Sequence, residues 1–179
     1  MGGKIMLSHW MARDEFSKGA TMETPNEPIV LGPGEGRSFP FGRRTMISKV
    51  DEEDTEDVAI FETMPEPGMP AAQPHRHWEA VEAFYVLDGE MEFLVEERIV
   101  RGPVGTFVFI PRGVVHGFRN PGPGPAKMLV LVWPAHGLRI VKDLGALLVA
   151  GGPPDPEQIQ AIFAANQSEE VHDGLEQWR

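Results

Sequence analysis

Two of the six histidines in this chain, His75 and His77, flank Arg76 in the segment HRHWEAVEAFYVLDGE, residues 75–90. Residues two apart on a strand face the same way, so both imidazoles project to one side and Arg76 to the other. Glu82 comes five residues after His77. That odd separation would reverse its face in an unbroken strand, so the reading requires a bend or bulge within Trp78–Val81 that brings it back. A further histidine, His116, follows a Pro-x-Gly corner at Pro111–Gly113, from which the chain can re-enter the core on a neighbouring strand. Three imidazoles and one carboxylate could then meet inside a barrel. The chain has no cysteine, so any metal must be held by nitrogen and oxygen.

The plainer reading of a lone histidine in a β core is a hydrogen-bonded polar residue. Four candidates in two segments shift the balance toward ligands. Glu79, two residues after His77, competes with Glu82 and ranks second. His9, His136 and His172 read as surface residues, with only His136, at the mouth or rim after the last strand, kept as a side candidate.

The elements that must position these groups are short strands. From Ile29 onward the chain reads PIVLG, RTMISKV, VAIFETM, EAFYVLDGEMEFLVEERIV, GTFVFIP, VVHGFRN and AKMLVLVWP, with turn residues between most of them. The abundant glycines and prolines, 20 and 17, punctuate these runs, as in an all-β region. Asp88-Gly89, between two alternating runs, predicts a hairpin, and four to five antiparallel pairs are expected. The acidic run DEEDTED, residues 51–57, reads as a solvated loop, since it lacks the spacing and glycine of a calcium loop. After Pro134 the alternation gives way to helical spacing at Leu138, Val141, Leu144 and Leu148, weakened by Gly145. A second helix has Asp155 as cap, Pro156 at its first position, Gln158 in capping-box position, and Ile159, Ile162 and Phe163 on one face. The expected layout is an N-terminal arm over 1–27, a β-barrel over 28–135 and a C-terminal helical extension over 136–179. No internal repeat of the strand block is evident.

A chain of 179 residues with formal charge −11 and a pI near 4.9 has no basic stripe for phosphate backbones or anionic lipids. Nucleic acid and membrane partners are therefore not expected. The N-terminal stretch has no apolar run of signal-peptide length, and a cytoplasmic location is expected.

The segment GMPAAQPHRHWEAVEAFYVLDG, Gly68 to Gly89, resembles the first motif of the cupin superfamily: HxH, four residues, Glu, six residues, Gly. GTFVFIPRGVVHGFRN resembles the second at Gly105, Pro111, Gly113, His116 and Asn120. The first departs only by a Gly-to-His gap one residue longer than usual, and fifteen residues separate the motifs, as in small single-domain cupins. The resemblance covers about Ile29 to Pro134. It implies an all-β jelly-roll barrel in which His75, His77, Glu82 and His116 bind one divalent transition metal: nickel, iron, manganese, cobalt or zinc. Within the superfamily, the single-domain layout resembles that of bacterial quercetinase-like dioxygenases. That implies dioxygen as co-substrate, an enolic aromatic molecule of flavonol type as substrate, and Glu82 as catalytic base. Phe84 and Phe118, each two residues beyond a ligand, would form the wall for a planar substrate. Phe107, Phe109, Met128 and Trp133 are further expected inside. Two alternatives stand beside it: a redox-neutral metal-dependent isomerase or cyclase, and a non-catalytic binder of a small molecule. A homodimer is expected from the arm and exposed sheet edges.

Overall fold

The structure is a computed structural model and describes residues 27–68, 70–149, 154–173, 175 and 178. The proposed arm thus falls almost wholly outside the described residues. The strands are β1 (Arg37–Phe41), β2 (Arg44–Val50), β3 (Ala59–Thr63), β4 (Pro70–His77), β5 (Val81–Asp88), β6 (Glu90–Val95), β7 (Arg98–Pro103), β8 (Phe107–Ile110), β9 (His116–Arg119), β10 (Lys127–Trp133) and β11 (Ser168–Glu170). A 3-10 turn, Ala135–Leu138, leads into helix α1 (Arg139–Val149), and α2 (Pro156–Ala165) precedes β11.

The strands form two antiparallel sheets, ordered β1-β2-β3-β10-β5-β8 and β11-β4-β9-β6-β7. Their inner faces pack together as a jelly roll. Strict alternation decides which side chains meet: Ala59, Phe61 and Thr63 of β3 and Met128, Val130 and Val132 of β10 are buried while their neighbours are not. Phe84 and Val86 from the first sheet pack against Met91 and Phe93 from the second in one cluster. Each such fully buried side chain stabilises by about 1.5–3 kcal/mol. Behind the second sheet, Leu175 and Trp178 cover Leu94.

Helix α1 lies on β1, and Gly145 permits the approach: a Cβ there would stand 2.3 Å from the Pro40 carbonyl oxygen. The glycine that weakens the helix in isolation is what lets it pack. Helix α2 starts as expected, with the Asp155 carboxylate accepting from the Glu157 amide at 3.0 Å and Pro156 in the first turn.

Several expectations need correction. PIVLG is not a strand: Pro28 and Pro33 bracket it, Val30 is 88% exposed, and the first strand begins instead at Arg37, with Pro40 tolerated because β1 is an edge. Asp88-Gly89 is not a hairpin turn. Strands β5 and β6 lie in different sheets, so this corner carries the chain across the sandwich rather than back beside itself. Gly89 has φ of 70°, and a Cβ on it would meet the Pro125 oxygen at 2.7 Å. The tight hairpins are β1–β2 and β6–β7. Among the described residues nine antiparallel pairings are formed rather than four to five. Phe107 and Phe109 point outward, because pairing of Ile110 with Glu82 and Val108 with Phe84 gives the inner face of β8 to the aliphatic residues. Trp133, beside buried Val132, takes the outward parity of β10. Within the acidic run, Asp51 is buried at the foot of its loop rather than solvated. The C-terminal extension is not purely helical, since β11 returns to pair with β4.

Candidate metal centre

The bend required before Glu82 is a full change of sheet. Strand β4 ends at His77, residues 78–80 turn, and β5 begins at Val81 in the opposing sheet, so Glu82 faces the two histidines across the barrel instead of rejoining their strand. His116 opens β9 directly opposite His75 on the neighbouring strand. The structure therefore brings together all four sequence candidates. One nitrogen or oxygen from each of His75, His77, Glu82 and His116 lies within 4.8 Å of the others, and all four side chains are buried.

The outer nitrogens define the inner ones. His75 Nδ1 lies 2.7 Å from the Gln73 carbonyl and His116 Nδ1 lies 3.0 Å from the Val114 carbonyl. A carbonyl only accepts, so each Nδ1 carries the proton and each Nε2 presents a lone pair inward. His77 Nδ1 lies 2.7 Å from Ser168 Oγ, whose own hydrogen goes to the Asn166 carbonyl at 2.9 Å. This serine therefore accepts from the ring, and His77 takes the same tautomer. Three second partners thus fix ring orientation, as around bound metals.

What these lone pairs face is another acceptor. His116 Nε2 is 3.0 Å from Glu82 Oε2 and His77 Nε2 is 3.5 Å from Glu82 Oε1. Among the described residues, His77 Nε2 is buried with no hydrogen-bond partner. Neutral imidazole nitrogens and a carboxylate cannot satisfy one another without a proton or a cation between them. Burial raises the Glu82 carboxyl, and only positive charge on His77 and His116, the place a bound cation would take, outweighs it and holds the group well below the usual carboxylate range. Burial, with the neighbouring His116 and His77, drives His75 well below the ordinary imidazole range and keeps it neutral. A neutral-imidazole and carboxylate donor set with one orphaned nitrogen fits a divalent transition metal.

The centre opens into a cavity of about 320 Å³, near the lower end of the range for small-molecule sites. Phe84 and Phe118 form part of its wall, their ring centroids 5.5 Å apart, and Phe163 of α2 meets His75 edge-on at 5.9 Å. Ile140, Leu144 and Leu148 of α1 also line it, so residues of both C-terminal helices enclose the cavity. The other candidates lie elsewhere. Glu79 is exposed and its carbonyl accepts from Arg112 at 2.6 Å. His136 is exposed, His172 stands on the surface beside Glu170, and His9 is outside the described residues. Sequence reasoning missed Ser168, Glu170 and Arg44, all at this site or its cavity. The three-residue β11 is too short to show a period, and a lone arginine on β2 reads as an ordinary surface charge.

A family model for the cupin domain matches residues 61–132, which run from β3 to β10 and include all four clustered residues. With the two-sheet fold, this supports placement in the cupin superfamily. The chain is 34% identical over 96 residues to germin-like protein 1-1 of Oryza sativa subsp. japonica, covering 49% of this chain and 42% of that one. It is 31% identical over 106 residues to nectarin-1 of Nicotiana langsdorffii x Nicotiana sanderae, covering 55% and 44%. The chain spans less than half the length of these curated relatives. A crystal structure of a protein from Planctomyces limnophilus superposes with a TM-score of 0.50 at 18% identity, covering 62% of this chain and 91% of that one, a likeness of fold. Among the described residues no helix is long and apolar enough to cross a membrane.

Proposed function

We propose that the protein is a metal-dependent dioxygenase acting on a small enolic aromatic molecule. The observation that supports this reading is the position of four buried donors, with inward lone pairs, at the wall of an apolar, aromatic-lined cavity. His75, His77, Glu82 and His116 would hold the ion. When bound, a divalent metal supplies a Lewis acid and a template that brings a deprotonated substrate oxygen and dioxygen together.

The chain's own residues do the rest. Phe84 and Phe118 would form the aromatic wall against a planar substrate, and the apolar side chains of α1 and α2 would keep water away from the reacting end. Bound to the ion, Glu82 would be ionised despite its burial. Its Oε1, less closely engaged by imidazole than Oε2, is the atom that would take the substrate hydroxyl proton. A base so placed contributes about 10²–10⁴ in rate.

The test is metal analysis of the purified chain, followed by oxygen uptake with enolic aromatic compounds, flavonols first. Glu82→Gln should lose turnover far more than it loses metal. Full activity of that variant with metal bound would reject the base assignment. Glu170 favours a second reading, because it gives the cavity another carboxyl, raised by burial with His172 opposing, and redox-neutral isomerisation needs two groups to shuttle protons. Turnover undiminished under nitrogen would select that reading over oxygenation.

A further inference from the structure

The cavity contains a cation that the proposed chemistry leaves without a role. Arg44 opens β2, on the inward parity shared with buried Met46 and Ser48. It lines the same cavity as His75, His77 and Glu82. Its guanidinium rests over the Phe41 ring at 5.3 Å. Among the described residues it forms no ion pair or hydrogen bond with a carboxylate, whereas Arg37, Arg76, Arg101, Arg119 and Arg139 each do. Glu66, on the exposed side, acts on it only at a distance. Glu170, which shares the cavity, has His172 Nε2 at 3.8 Å.

A half-buried guanidinium carries five donors, and an aromatic face satisfies none of them. Those donors remain free to meet a ligand that enters the cavity. The complement of one planar guanidinium is one carboxylate, bound fork to fork. Among the described residues no lysine and no second arginine lines the cavity, so the doubly charged phosphate lacks the partners it would need there. We propose that Arg44 is a substrate-binding residue selecting molecules that carry a carboxylate separate from their metal-binding oxygen. This rests on the reading of the cavity as a small-molecule site and narrows its substrate to an acidic aromatic compound.

The test is calorimetric titration of the full chain, loaded with manganese, with two acid and amide pairs: 3,4-dihydroxybenzoate against 3,4-dihydroxybenzamide, and 3,4-dihydroxycinnamate against its amide. In at least one pair the acid should bind about tenfold or more tightly than the amide. Arg44→Met should bring that ratio to about one with the amide affinity and metal content unchanged, and Arg44→Lys should keep part of it. No preference for either acid, absence of binding included, overturns the assignment, as does a preference that survives in Arg44→Met. Metal content is measured on the same samples, and the titrations are repeated after chelation. A chain that takes up no metal sinks the metalloenzyme reading, while the acid-to-amide ratio of chelated wild type against Arg44→Met still decides the role of Arg44.

Discussion

Glu82 and Asp51 are both buried carboxylates, 6% and 2% exposed, yet their surroundings are opposite in kind. Asp51 is surrounded by donors: Arg37 Nη2 at 2.8 Å, Ser48 Oγ at 3.0 Å, the Glu53 amide at 3.1 Å and Lys142 Nζ at 3.3 Å. Burial alone would raise its carboxyl, but these donors outweigh it and hold the group below the ordinary range. It ties the β3 loop to β1, β2 and α1, and its chemistry is complete. Glu82 faces imidazole nitrogens whose protons are committed on the far side of each ring. The difference teaches that burial of a charge is not by itself a sign of function. A buried carboxylate ringed by donors is a structural tie, whereas one ringed by acceptors is a place for a cation.

The largest effect expected from this contrast is at the centre itself. His116→Ala should lower metal affinity more than about 100-fold, beyond the cost of altering an outer partner. Metal-to-protein ratio after gel filtration reads this directly. A variant that keeps full stoichiometry would show that the four groups do not share an ion. Asp51→Ala should do the reverse, costing about 2–3 kcal/mol in urea unfolding through its lost charged hydrogen bonds while leaving metal content unaltered. Metal loss in that variant without destabilisation would erase the distinction drawn here.

Ser168→Ala should weaken metal binding by about 10–100-fold, since His77 loses the acceptor that sets its tautomer, and Ser168→Thr should restore it. Equal binding in all three proteins would mean that the ring needs no such support. The smallest effect concerns pH. The folded Asp51 carboxyl lies below its unfolded value of about 3.9, so its contribution is fully present above that pH and is lost as pH falls toward the folded value. The stability difference between wild type and Asp51→Ala should therefore shrink below about pH 4, as measured by urea unfolding across pH. A difference that grows on acidification would reverse the sign assigned to this group.

His75, His77, Glu82 and His116 were legible in the sequence because ligand chemistry demands particular residue types, and strand alternation fixes relative facing over two residues. The all-β core, the Asp155 cap of α2 and the exclusion of thiolate sites followed from equally local rules. Where a segment goes after a turn is not local. Asp88-Gly89 has hairpin residues, and only packing of the two sheets sends β6 away from β5. The outward facing of Phe107 and Phe109 follows from register with β5, which the run FVFI does not contain. Ser168 reaches His77 across ninety-one positions of sequence, and Arg44 shares a cavity with ligands on other strands. Composition and short spacing thus determined which groups are available for chemistry. Tertiary structure alone decided which of them are orphaned, because satisfaction of a buried polar atom depends on every neighbour that folding brings against it, near in sequence or far.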